Sequence, residues 1–460
     1  MGKTRKRFTR TGTKGYKGGK VIASGGFGCV FDPALKCANA SKRETGKISK
    51  LMTERHAAQE YDEIQKIKAK LDTIDRYKDY FLIYDATLCR PAKLTATDLT
   101  AFKKCSALPK DNITKGNVNA KLDEVMSLNI PNGGLPVDDF VYANGGYEKL
   151  YQTHVALVQL LKEGIIPMNR KHVYHSDIKD SNVLIDDRAR ALKARLIDWG
   201  LTVDYDNAST FPKNWHNRPL QFNVPFSVIL FTDTFYTTYT EYLKDGGAVE
   251  ELSLKPFVIN YLSKWMKERG AGHYKFINEI MFLLYGSMLT NIPDANKPSV
   301  IETEVTVPRI VDYLVEVLLH YTKFKSDGSL NLREYLHDVY VKIVDIWGFV
   351  TVYYPLLEMF SNNASTLNDA ERRILQQLQH LFTEYLFTPR AVPISITNLL
   401  DDLNVLGKLI YAVAHGKTSS TSSTSSTGGA KTRKRMRSSS VFKRKALKKR
   451  FKKPYFLSLL

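Results

Sequence analysis

The chain has 460 residues, 43% hydrophobic and 25% charged, enough for one large or two medium domains with a sizeable core. No run of 18 apolar residues occurs, so no membrane-spanning helix is expected, and the basic N-terminus lacks the apolar stretch of a secretory signal. The net charge of +20 sits at the ends: residues 1–20 hold eight Lys/Arg and residues 417–460 fourteen, neither with an acid, which leaves 45 basic and 47 acidic residues between them.

Lys6 stands where a myristoylation signal needs Ser or Thr, so no lipid anchor is expected. Residues 1–19 form a basic arm with almost no apolar residue to bury, expected to be disordered alone. Its Lys3–Arg7 string, K-T-R-K-R, recurs as Lys431–Arg435. The cysteines, Cys29, Cys37, Cys89 and Cys105, form no C-x-x-C pair and no zinc spacing, so reduced thiols are expected.

Val21–Ser24 reads as a strand entering the turn Gly25-Gly26-Phe27-Gly28, and Cys29–Phe31 as the strand leaving it. Glycines allow backbone N–H groups to approach a phosphate closely. Lys47–Met52 alternates as a strand should, and Thr53–Leu71 reads as an amphipathic helix with Ile64, Ile67 and Leu71 on its apolar stripe. Tyr80–Ala86 is an expected strand with Val125–Ile130 as its neighbour, separated by a Lys/Thr/Asn/Pro-rich insert, residues 87–123. Pro131–Gly134 is an expected connection, and Tyr147–Glu163 a second amphipathic helix carrying Leu150, His154, Leu157, Val158 and Leu161.

Then comes His175-Ser176-Asp177-Ile178-Lys179-Asp180-Ser181-Asn182, followed by the apolar Val183–Ile185, and sixteen residues beyond Asn182 stands Asp198-Trp199-Gly200. Together these strings resemble the catalytic loop H-R-D-L-x-x-x-N and the D-F-G of eukaryotic-type protein kinases. The glycine turn resembles G-x-G-x-x-G-x-V, with Gly25, Gly28 and Val30 in register, Gly26 and Phe27 at the tip, and Ala23 at the first glycine position. Lys50 then takes the place of the third-strand lysine, with Lys47 the competing choice, and Glu60 its helix partner, with Glu63 the alternative.

The resemblance implies an α+β, bilobal protein-kinase-like fold: residues 20–131 a small β-rich N-lobe with insert 87–123, and residues 132–416 a larger helical C-lobe. It implies ATP and Mg2+ as cofactors. Phosphoryl transfer needs a carboxylate at the acceptor hydroxyl, a cation at the moving phosphoryl group and oxygen ligands for the metal. Those roles would fall to Asp177, to Lys179, and to Asn182 with Asp198. The backbone of Ser127–Pro131 would meet adenine, and Asp138 or Asp139 a ribose. Lys179 favours Ser/Thr acceptors.

Beyond Gly200 the resemblance thins. Residues 201–225 take the place of an activation segment without A-P-E, and Asn217–Phe226 is expected to anchor it differently. Ser176 replaces the arginine that ordinarily pairs with a phosphorylated segment, so activity independent of that phosphorylation is expected. Helices are expected at Ile259–Glu268, Tyr274–Leu289, Arg309–Tyr321 and Glu371–Leu386. Residues 417–430 read as a Ser/Thr/Gly linker, residues 431–453 as a basic arm and Pro454–Leu460 as an apolar tag; together 417–460 make the C-terminal tail.

The divergent C-terminal half, the insert and the paired arms resemble the Ser/Thr kinases of giant nucleocytoplasmic DNA viruses. That implies a monomeric intracellular enzyme, in host cytoplasm or nucleus or in a virion, acting on protein substrates away from membranes. The arms fit nonspecific nucleic-acid contact, a nuclear address or a solubilising tail. Two other readings compete: an inactive kinase-fold scaffold tethered to nucleic acid through the arms, and a small-molecule kinase.

Overall fold

The structure, a computed structural model, describes residues 19–206, 211–322 and 332–416. The basic arm up to residue 18, the C-terminal tail and the activation-segment residues Ser209 and Thr210 lie outside them. The fold is mixed α and β, about 56% helical, with a small antiparallel sheet in the N-terminal part. Of the described residues, 19–69 and 82–132 form one compact unit, and 70–81 with 133–416 a second.

The first unit is built on a five-stranded antiparallel sheet in the order β1-β2-β3-β5-β4. Its strands are β1 (Lys20–Ser24), β2 (Gly28–Asp32), β3 (Lys47–Thr53), β4 (Thr87–Cys89) and β5 (Val125–Pro131). The period-two alternation of β3 works as read: Leu51 is fully buried, and Lys50 lies opposite Leu128 on β5. Helix α1 (Glu54–Leu71) follows directly.

Two expectations are corrected here. Tyr80–Ala86 is not a strand; Tyr77–Asp79 forms a 3-10 turn, and Tyr80, Phe81, Leu82 and Ile83 are all buried in succession. A short run buried on every side looks like a strand by hydrophobicity alone. The neighbour of β5 is β4, with Thr87 opposite Asn129 and Cys89 opposite Ser127.

The cysteines are not free: Cys29 is bonded to Cys105 and Cys37 to Cys89. Partners 76 and 52 residues apart leave no local spacing signature. The bonds belong to the role of the insert, which had no sequence motif. Its Phe102, Cys105, Leu108, Ile113 and Val118 pack with Val21, Cys29, Phe31, Leu51 and Val125 into one buried cluster. The insert is the second layer this sheet needs.

The second unit opens with β6 (Leu135–Pro136), α2 (Val137–Ala143), α3 (Tyr147–Gln159), α4 (Ile166–Arg170), β7 (Val173–Tyr174), β8 (Val183–Asp186), β9 (Lys193–Leu196) and β10 (Val203–Asp204). A π-helical stretch, Leu160–Ile165, joins α3 to α4. Pro167 lies just beyond it; proline cannot donate to the preceding turn and crowds it, and the wider π turn makes room. Of the expected stripe on α3, Leu150, His154 and Leu157 are buried, as is Leu161 in the π stretch.

The remainder is helical: α5 (Asp233–Lys244), α6 (Glu251–Arg269), α7 (Tyr274–Tyr285), α8 (Lys297–Ile301), α9 (Val307–Tyr321), α10 (Arg333–Tyr335), α11 (Val341–Thr351), α12 (Tyr354–Asn362), α13 (Asp369–Phe382) and α14 (Ile396–His415). The helical run Arg333–Asn362 is long and apolar enough to cross a bilayer, but its apolar window is wholly buried in this unit, as befits a core helix. Helix α14 packs on α3 so closely that a Cβ on Gly407 would lie 2.8 Å from His154 Nε2.

Candidate active site

In the first unit, β1 and β2 pair antiparallel with Ala23 opposite Val30, and the turn between them is closed by Gly25 N–H donating to Gly28 O at 2.9 Å. Gly26 has open space where a side chain would point. Gly28 does not: a Cβ there would lie 2.8 Å from Leu51 O, so β3 requires glycine at this position. Phe27 at the tip is 62% exposed, and its ring lies 4.7 Å from that of His56 on α1. Ser24 Oγ accepts from the backbone N–H groups of Ser106 and Ala107 at 3.0 and 3.2 Å, so the insert also grips the end of β1.

Lys50 on β3 donates to both carboxylate oxygens of Glu60 on α1, at 2.8 and 2.7 Å. Glu63 instead accepts from Gln59 at 3.0 Å on the exposed face. Lys47 is engaged elsewhere, bonded to Glu44 at 2.8 Å and to the backbone carbonyl of Asp85 at 2.6 Å.

In the second unit, the loop after β7 carries the other candidates. Lys179 Nζ lies 2.7 Å from Asp177 Oδ2, and Asn182 Nδ2 donates to Asp177 O and Oδ2 at 2.8 and 2.9 Å. Asn223 Nδ2 donates to the other carboxylate oxygen, Oδ1, at 2.8 Å. Burial pushes the Asp177 carboxyl up, but adjacent Lys179, with the Asn223 hydrogen bond and nearby His175, outweighs it and holds the group below its ordinary value.

Asn182 and Asp198 flank the β8–β9 ladder, in which Val183 lies opposite Leu196, and Ile197 N–H donates to Asn182 O at 3.0 Å. Asp198 has a left-handed backbone, φ 65°, and an exposed carboxylate with no hydrogen bond or ion pair among the described residues. Trp199 turns the opposite way, buried edge-on against Phe81 and His175 at 5.7 and 4.8 Å. The Asn182 amide nitrogen is spent on Asp177, which leaves its Oδ1 as an acceptor, and oxygen donors such as this amide and the Asp198 carboxylate are the kind a hard, hydrated cation takes. Asp138 and Asp139 lie in the first turn of α2.

Underneath the loop sits Asp345 on α11, fully enclosed. It accepts from the backbone N–H groups of His175 and Ser176, each at 2.8 Å, and from Asn169 Nδ2 at 2.7 Å. His175 Nε2 is 3.0 Å from Ile197 O, which ties the loop to the strand leading to Asp198. Burial raises the Asp345 carboxyl, against the lowering effect of His175 and these donors.

Sequence reasoning missed Asp345 and Trp215, and it named Asn217–Phe226 as an anchor without giving Arg218 or Asn223 a role. Asp345 had a signal, being the lone acid in the apolar run Val341–Val352. For the other three, nothing local shows which side chains of residues 211–226 turn toward Asp177. No protein-family model matches the chain, and no curated protein matches it in sequence.

Proposed function

We propose that this chain is a Ser/Thr protein kinase that uses ATP and magnesium. The observation that carries the reading is the loop Asp177–Asn182, in which one carboxylate is oriented by Lys179, Asn182 and Asn223 while the Asp198 carboxylate stands unengaged on the adjoining strand end. Asp177 would accept a hydrogen bond from the acceptor hydroxyl through one oxygen and take its proton during transfer. Lys179 would offset charge on the γ-phosphoryl group. Asn182 Oδ1 and Asp198 would hold the magnesium, which when bound supplies positive charge at the phosphate oxygens. In the first unit Lys50, fixed by Glu60, would bind the α- and β-phosphates beneath the backbone N–H groups of the glycine turn.

The same resemblance supports an intracellular viral enzyme. Paired cysteines are rare in the reducing cytosol and persist in virions, so of the expected settings the virion suits this chain best.

The test is transfer from ATP with magnesium, onto the chain itself and onto a generic basic Ser/Thr substrate, by the unaltered protein and Asp198→Ala. Phosphoserine or phosphothreonine that falls on the order of 10³-fold in the variant is expected. Transfer that persists in Asp198→Ala would sink the metal assignment. No transfer, with ATP still binding by thermal shift, would favour the scaffold reading, and no ATP binding at all would end the kinase reading.

A further inference from the structure

We infer that residues Trp215–Asn223 are a built-in clamp that holds the Asp177 loop in its working arrangement with no phosphate on the chain, Trp215, Arg218 and Asn223 being its positioning residues. What the held loop does rests on the kinase reading; that it is held does not.

Three contacts make the clamp. Trp215 Nε1 donates to Ser176 Oγ at 2.8 Å, Arg218 Nη1 donates to Ser176 O at 2.9 Å, and Asn223 Nδ2 donates to Asp177 Oδ1 at 2.8 Å, with Ile178 O 3.3 Å away. Ser176, Trp215, Arg218 and Asn223 are all buried, so these bonds are shielded from competing water. The clamp is fixed from behind as well. Trp265 of α6 donates to Arg218 O at 3.2 Å, Trp347 of α11 to Phe222 O at 2.8 Å, and His273 N–H, just before α7, to Leu220 O at 2.8 Å.

Ser176 is what permits this. An arginine side chain there would occupy the space in which Trp215 reaches the serine hydroxyl, and its charge would need an anion. Here the buried cation comes from the clamp itself. Arg218 makes no ion pair within 4 Å among the described residues, and its Nη2 has no hydrogen-bond partner. Asp177 and Asp345 balance its charge from farther off. A buried guanidinium without a contacting carboxylate is costly unless the surroundings fix it, and bonding to the loop backbone does so. The arrangement replaces a phosphate-dependent latch with permanent hydrogen bonds.

The experiment uses the full chain, phosphatase-treated and shown unphosphorylated by intact mass. Hydrogen exchange is read on peptides covering residues 213–224, and transfer kinetics are read in parallel. Protection in the unphosphorylated parent is expected, with exchange about tenfold faster in Ser176→Ala and Asn223→Val and restored in Asn223→Thr, which keeps a hydroxyl donor. In transfer, Asn223→Val should lower kcat on the order of 10²-fold with KM for ATP unchanged. Asn223→Thr should recover the rate.

The inference is overturned if the parent segment is unprotected until Thr202, Ser209 or Thr210 is phosphorylated, or if both loss variants exchange like the parent. A parent that transfers no phosphate at all sinks the kinase reading instead, and the exchange arm still decides the clamp.

Discussion

Lys50 in the first unit is held by one largely buried ion pair, on a sheet whose other face is closed by the insert and two disulfides. Asp177 in the second unit sits in a buried polar network that Asp345 secures from below and Asn223 and Lys179 from the sides. A small sheet unit buries too little apolar surface to be rigid by packing alone, and cross-links compensate. The helical unit has core to spare and can support buried polar groups, provided each is bonded. A lost cross-link in the first unit should therefore act through the freedom of the unfolded chain, whereas a lost acceptor in the second should act on the folded state itself.

The sharpest way to break that contrast is Asp345→Ala. It leaves the backbone N–H groups of His175 and Ser176 without an acceptor and Asn169 Nδ2 with Val173 O alone, and a loss of about 3–5 kcal/mol is expected, read by denaturant unfolding. A loss below about 1 kcal/mol would show that water or a neighbour replaces the carboxylate.

On the other side of the comparison, Cys29→Ser with Cys105→Ser opens a long loop in the unfolded chain. About 4 kcal/mol is expected on the chain-entropy account, with the Lys50–Glu60 pair still formed. A thiol-alkylation mass shift on the native, unreduced chain would contradict the pairing directly.

A pH effect of about 3 kcal/mol separates the units further. Burial between α3 and α14 pushes His154 down to about 4, against the opposing effect of its hydrogen bond to the Leu403 backbone carbonyl. Between that value and the ordinary one near 6.5 the unfolded chain binds a proton that the folded chain refuses. Stability from this group is therefore complete above pH 6.5 and falls as the pH drops toward 4. His154→Gln should flatten this part of the Tm-against-pH curve; an unchanged slope would place the titration elsewhere.

Gly407→Ala crowds the same histidine and should cost about 1–3 kcal/mol by thermal unfolding. Phe27→Ala, at the exposed tip of the glycine turn, should change stability by less than about 0.5 kcal/mol and, on the proposed function, act on KM for ATP.

Legibility followed the same division. Period-two alternation revealed β3 and Lys50, and the stripe on Thr53–Leu71 singled out Glu60 over Glu63, because both signals depend only on neighbours along the chain. Tyr80–Ala86 misled because complete burial erases periodicity. The disulfides were hidden because pairing is decided by the folding of the insert over the sheet, which no spacing encodes.

By itself, then, the sequence determined which chemistry is available: a glycine turn, Lys50, and a loop with Asp177, Lys179 and Asn182 followed by Asp198. Those residues lie close along the chain or on elements whose period exposes their direction. Only the tertiary structure decided how Asp177 is held, since Asp345 and Asn223 approach it from 168 and 46 residues away by position along the chain. Contacts of that range depend on the packing of whole helices, and a buried carboxylate selects whichever donors the packing brings within hydrogen-bond reach.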